Sequence, residues 1–149
     1  MIKTFIIRSE EEMLNLGKTL AEHLQPGDFI ALIGDLGAGK SVLVRGAASC
    51  FEIEHLSSPT FTIVQEYPSS IPFFHFDAYR INEEDELLAI GFNDYLDRKG
   101  IIFMEWANLV PDLLPEKRMD IIITGSGTEE RTVCIRSYGE HYEEILRQL

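Results

Sequence analysis

The stretch DFIALIGDLGAGKSVLVRG, residues 28–46, sets the organisation of the chain. Its first seven residues form a short, nearly continuous apolar run, the pattern of a strand buried on both faces. Residues 34–41, GDLGAGKS, then match G-x-x-x-x-G-K-[ST] at every fixed position. Average glycine usage produces that pattern by chance about once in a few hundred chains of this size. From about Lys40 the sequence SVLVRGAASCF is compatible with a helix. Strand, glycine-rich turn and helix, in that order, are the context in which such a loop binds phosphate. Gly34, Gly37 and Gly39 permit backbone angles that a Cβ forbids, so successive N–H groups turn inward on phosphate oxygens. Lys40 reaches the β- and γ-phosphates as a point charge, and Ser41 offers a hydroxyl to Mg²⁺. The helix aims its positive N-terminal end at the same anion. The binding candidates are therefore Gly34, Asp35, Leu36, Gly37, Ala38, Gly39, Lys40, Ser41 and Val42 for ATP or ADP, with Mg²⁺.

Outward from this loop, residues 3–8 read as a strand. Ser9 followed by Glu12 is a capping box, and Met13, Leu16, Leu20 and Leu24 continue at helical spacing until Pro26-Gly27. Downstream, FTIVQEY (61–67) and PFFHFD (72–77) read as a β-hairpin. An acidic helix starts near Asn82, with carboxylates in its first turn, and ends at Gly91. IIFME (101–105) is a buried strand. RMDIIITGS (118–126) and RTVCIRS (131–137) are strands joined by a turn from Gly125 to Glu130, and the tail from Tyr138 is helical. The hairpin and the last two strands are antiparallel neighbours by connection length, which predicts a three-layer α/β fold with a mixed sheet. No linker, repeat or low-complexity segment divides residues 1–149, so a single domain is expected.

Composition narrows the function class. Thirteen basic against 25 acidic residues give a net charge of −12, a surface that repels nucleic acid and suits protein partners or a nucleotide held in a pocket. The two cysteines, Cys50 and Cys134, are distant and unpaired by motif; they read as buried small hydrophobes in a reducing compartment. No segment has the roughly 20 apolar residues that span a bilayer, and the N-terminus lacks a signal-peptide pattern, so a cytoplasmic location is expected.

A phosphate loop needs a carboxylate at the end of a neighbouring strand to help hold magnesium. Glu105, delivered by the apolar run Ile101–Met104, is that candidate. Asp77 ends PFFHFD in the same way and is the candidate for the attacking water. His75 shares its strand face and reads as structural. Thr60 and Thr62, after Pro59, are placed either to reach the γ-phosphate or simply to form a turn. Arg80 is a weaker candidate for neutralising phosphate charge.

The ordered set GDLGAGKS with VRG behind it (34–46), SPTFTIVQEY (58–67), HFDAYRI (75–81), ELLAIGFNDYL (86–96) and MEW (104–106) resembles the TsaE family. The resemblance implies a bacterial P-loop ATPase required for threonylcarbamoyl modification of adenosine 37 in tRNAs that decode ANN codons. It implies that Ser41 and Glu105 hold Mg²⁺, that Thr60 lies in a switch-like loop, that Asp77 serves hydrolysis, and that Trp106 belongs to the second nucleotide motif. It also implies that Ser9 and Glu10 approach the nucleotide base. The implied partners are the proteins TsaB and TsaD, with ATP hydrolysis resetting their complex and tRNA engaged only through it. Two positions depart from the family pattern: Ser41 stands where Thr is usual, and Leu88 where Glu is frequent. A small-molecule kinase, a GTPase and a nucleotide-sensing scaffold without turnover are the competing readings. The first lacks a lid-sized insertion and has only scattered arginines (Arg80, Arg98, Arg131, Arg136). The second lacks an N-K-x-D motif.

Overall fold

The computed structural model describes residues 1–127 and 130–149, so Thr128 and Glu129 of the expected 125–130 turn lie outside the described residues. Among the described residues, seven strands form one sheet in the order β1-β7-β6-β2-β5-β4-β3. They are β1 (Ile2–Ile7), β2 (Phe29–Ile33), β3 (Val64–Tyr67), β4 (Phe73–Asp77), β5 (Ile101–Glu105), β6 (Arg118–Thr124) and β7 (Arg131–Tyr138). The centre, β6-β2-β5-β4, is parallel. β3 joins β4 antiparallel, and β7 joins both β6 and β1 antiparallel. The mixed sheet is thus as expected; the pairing of β1 with β7, which closes the far edge, had no signature in the sequence.

Helices α1 (Glu10–Ala21), α2 (Lys40–Ser49) and α5 (Glu140–Arg147) cover one face. The short helices α3 (Glu84–Ala89) and α4 (Phe92–Asp97) cover the other, together with residues 107–113. Side chains alternate accordingly. On β2, Ile30 and Leu32 enter the α2-side core while Phe29 and Ala31 enter the other. On β4 and β5 the same alternation sends Phe73, Phe103 and Ile101 toward α2, and Phe74, Phe76, Ile102 and Met104 away from it. His75, Asp77 and Glu105 share the α2-facing parity, and both carboxylates sit at the carboxyl ends of parallel strands.

Local chemistry explains the element limits. Ser9 caps α1 by accepting from the Glu12 N–H at 3.1 Å. Glu12 returns the bond to the Arg8 N–H at 2.8 Å, one residue earlier than a standard capping box. Gly46 lets α2 lie against α1: a Cβ there would stand 2.2 Å from the Leu14 carbonyl oxygen. Three expectations need correction. The strand read from Phe61 begins only at Val64, because Ile63 takes a left-handed φ of 70° and its carbonyl accepts the Asp77 N–H at 2.8 Å. Gly91 does not simply end the acidic helix; it adopts a left-handed conformation from which α4 starts. The cysteines are both free, but Cys50 is exposed at the C-terminal end of α2 and Cys134 is only partly buried. None of the helices among the described residues is long and apolar enough to cross a membrane.

Candidate functional site

β2 runs straight into the glycine-rich loop, which turns back at the carboxyl edge of the sheet and hands the chain to α2. Gly37 and Gly39 have φ of 80° and 107°, a region where a side chain is strained. Gly34 is needed for a different reason than its two neighbours: a Cβ there would meet the Ile123 carbonyl oxygen of β6 at 2.7 Å. The expectation that all three relieve forbidden angles therefore holds for two of them, and close approach to the sheet accounts for the third.

Lys40 opens α2 and is buried. Its ammonium donates to the carbonyls of Gly34 and of Asp35, the latter at 3.0 Å, and lies 4.3 Å from the centre of the Trp106 ring. Burial pushes the Lys40 ammonium below its ordinary value of 10.5, while the nearby carboxylates of Glu105, Asp77 and Asp35 pull it back up. Trp106 holds this place with a left-handed φ of 59° and packs on Tyr79, ring centres 4.8 Å apart.

A cleft of about 370 Å³ opens beside the loop, lined by Leu36–Val42, Ser58, Thr60, Asp77, Tyr79, Glu105 and Trp106. Asp77 is paired in register with Glu105, so neighbouring strands present both carboxylates there. The Asp77 carboxylate accepts from the Tyr79 N–H at 2.9 Å and from the Thr60 hydroxyl at 3.2 Å. Burial pushes Asp77 above its ordinary 3.8; the Tyr79 hydrogen bond opposes that shift and the charge of Glu105 adds to it. Thr60 is held in turn by Ser58, whose hydroxyl oxygen is 2.8 Å away. Thr62 instead accepts from the Gln65 side chain at 3.1 Å, and Arg80 lies over the Phe61 ring at 4.5 Å, so neither lines this cleft.

A second cleft, also about 370 Å³, lies on the other side of the loop between Ile7–Glu10, Met13, Gly37–Gly39, Val42, Gly127 and Arg131. The structure thus brings Ser9 and Glu10 against the phosphate loop, with Glu10 paired to Arg45 at 2.6 Å. Leu88, by contrast, is exposed on α3.

One residue stands out that motif reading passed over. Arg131 of β7 donates Nε to the Ala38 carbonyl at 3.0 Å, and Nη2 to the Gly37 and Gly127 carbonyls at 3.2 and 2.9 Å. These bonds tie the Gly37 and Ala38 carbonyls of the loop to β7. Its two partners in the glycine-rich loop lie 93 and 94 positions away, so no local pattern announces it. Arg131→Lys, which keeps the charge but loses the planar fork, is expected to weaken nucleotide binding about tenfold, consistent with losing one or two charged hydrogen bonds. Titration with a fluorescent ADP analogue measures this directly.

The model of the TsaE family, described as threonylcarbamoyl adenosine biosynthesis protein TsaE, matches residues 7–133. The chain belongs to the TsaE family. It is 38% identical over 141 residues to the tRNA threonylcarbamoyladenosine biosynthesis protein TsaE of Bacillus subtilis strain 168, covering 93% of this chain and 88% of that one. Its identity to the protein of the same description from a Nostoc species is also 38%, over 130 residues, with coverage of 83% and 78%. Among solved structures, the crystal structure of Bacillus subtilis YdiB superposes with a TM-score of 0.85 at 31% identity, covering 99% of this chain and 93% of that one. A TsaE chain is thereby placed in tRNA threonylcarbamoyladenosine biosynthesis, and its α/β fold is that of a P-loop NTPase.

Proposed function

We propose that this TsaE chain is a Mg²⁺-dependent ATPase that serves threonylcarbamoyladenosine formation by acting on a complex of TsaB and TsaD. The observation that carries the reading is the single cleft onto which the phosphate loop, Ser41, Thr60 and both strand-end carboxylates open. The donors are hydroxyl and carboxylate oxygens, the ligand type that suits magnesium, which favours one or two carboxylates plus phosphates over an all-protein cage. The chemistry a bound Mg²⁺ would supply is neutralisation of the charge that develops on the phosphates. Ser41 and Glu105 would hold it.

The chain's own residues do the rest by position and charge. The loop N–H groups and the α2 N-terminus bind phosphate oxygens, and Lys40 exchanges its carbonyl partners for the β- and γ-phosphates. Asp77, oriented by Tyr79 and Thr60, accepts a hydrogen bond from the attacking water. The second cleft, beside Ser9 and Glu10, takes the nucleoside. A cleft that opens at the surface beside the loop favours slow hydrolysis by the isolated chain and faster turnover once a partner covers it. The acidic surface suits protein partners, with tRNA reached only through them, in the cytoplasm.

Phosphate release from Mg-ATP tests this, measured for the chain alone and with TsaB and TsaD. Slow release alone, raised by the partners, is the expected result. Phosphate appearing on a small acceptor would establish a kinase instead, and tight ATP binding with no release under either condition would favour the scaffold reading.

A further inference from the structure

Behind the cleft, two buried side chains share a hydrogen bond that the mechanism above does not use. His75 on β4 faces the same side of the sheet as Glu105 on β5, one diagonal step along the parallel register. His75 Nε2 stands 2.6 Å from Glu105 Oε2, with the two side chains only 3% and 8% exposed. A carboxylate accepts, so Nε2 carries the hydrogen and donates it. The other ring nitrogen, Nδ1, is buried with no hydrogen-bond partner among the described residues. An unpaired polar atom in a core is a cost, and the neighbouring positions Phe73, Phe74 and Phe76 show that this strand accommodates an apolar ring at no such cost. Space-filling alone therefore does not account for a histidine at position 75.

We infer that His75 is a positioning residue for the metal carboxylate: its Nε2–H fixes one oxygen of Glu105 and thereby sets how the carboxylate faces the cleft. Glu105 lines that cleft with Ser41, and both also line the small adjoining cavity that His75 reaches. Partners of this kind fix the orientation of metal-binding side chains, and their loss weakens metal affinity about 10- to 100-fold. The inference rests on the reading of Glu105 as a Mg²⁺ ligand.

Binding of a fluorescent ADP analogue, measured in Mg²⁺ and in EDTA, separates the possibilities. The His75→Gln amide nitrogen reaches the position of Nε2, whereas that of His75→Asn reaches only the position of Nδ1. Wild type and His75→Gln are expected to share the same Mg²⁺-linked gain in affinity. His75→Asn is expected to lose about tenfold of that gain while binding in EDTA stays within about twofold of wild type. If His75→Asn keeps the gain, or loses affinity equally in EDTA and Mg²⁺, the positioning role is wrong. Should His75→Asn fail to fold, His75→Gln decides: a folded His75→Gln that binds in EDTA but lacks the gain overturns the inference, and one that keeps it supports the inference. A wild-type protein with no Mg²⁺-linked gain overturns the metal reading itself, and this inference with it.

Discussion

Lys40→Ala is expected to weaken ATP and ADP binding at least ~100-fold, the size of losing a charged contact to two phosphate groups. The fold should survive the change. Burial places the Lys40 ammonium below its ordinary value of 10.5, so in the nucleotide-free protein the charged form is held at a cost. For a basic group with a depressed folded value the sign is definite: the unfolded chain binds the proton more tightly, so stability rises with pH through this titration. At neutral pH the charge therefore subtracts from stability, and Lys40→Met, which replaces the ammonium over the Trp106 ring by an uncharged thioether end, should melt no lower than wild type. Phosphate oxygens reverse the balance by supplying negative charge, which favours the ammonium. Nucleotide affinity should consequently fall as pH is raised toward the lysine range, and fall earlier than an unperturbed lysine would allow. The contrast is large in a melting experiment. A nucleotide at about a hundred times its Kd should raise the wild-type Tm by about 5–10 °C, and should leave Lys40→Ala within about 1 °C of its ligand-free value. A Lys40→Ala protein that gains the same protection would mean the nucleotide binds elsewhere.

The parts of this site legible in the sequence are those set by short-range rules. The phosphate loop is a contiguous motif, and period-2 alternation is enough to put His75 and Asp77 on one face and Glu105 at a strand end. What remained hidden depends on long-range geometry. The pairing of Asp77 with Glu105 requires β4 and β5 to be adjacent and parallel, which β-strand patterns do not specify. Arg131 reaches the loop only because β7 lies beside β6, and β6 beside β2. The His75–Glu105 bond crosses between strands 30 positions apart, so His75 read alone was just another strand residue. Ile63 misleads for the opposite reason. A β-branched residue in an apolar run signals strand, yet the tertiary structure holds it at a left-handed φ of 70°. That turn is what brings the Ser58–Thr60 loop across to Asp77, which suits the tendency of backbone strain to gather at working sites.

Asp77→Asn is expected to cut partner-stimulated ATP hydrolysis at least ~100-fold while leaving nucleotide affinity within about threefold of wild type. The amide keeps the shape of the carboxylate. Its oxygen still accepts from the Tyr79 N–H, and its nitrogen can donate to the Thr60 hydroxyl, so the loop need not move. What it loses is the negative charge proposed to orient water. The same substitution should stabilise the nucleotide-free protein. Burial raises the Asp77 value above 3.8, and the charge of Glu105 adds to the effect, so the folded state binds this proton more tightly than the unfolded chain. The stabilising contribution is then fully present below the unfolded value of 3.8 and is lost as pH rises through the folded one. At neutral pH the ionised carboxylate therefore weakens the fold, and Asp77→Asn should melt above wild type. That gain should shrink as pH is lowered toward the carboxylate range, where wild-type Asp77 takes up its own proton. A structural carboxylate would give the reverse pattern, lower stability with hydrolysis altered only through misfolding. Hydrolysis at the wild-type rate by a stabilised Asp77→Asn protein would remove Asp77 from the mechanism. Loss of turnover together with gain of stability would mark a charge kept in place for its chemistry against a cost to the fold.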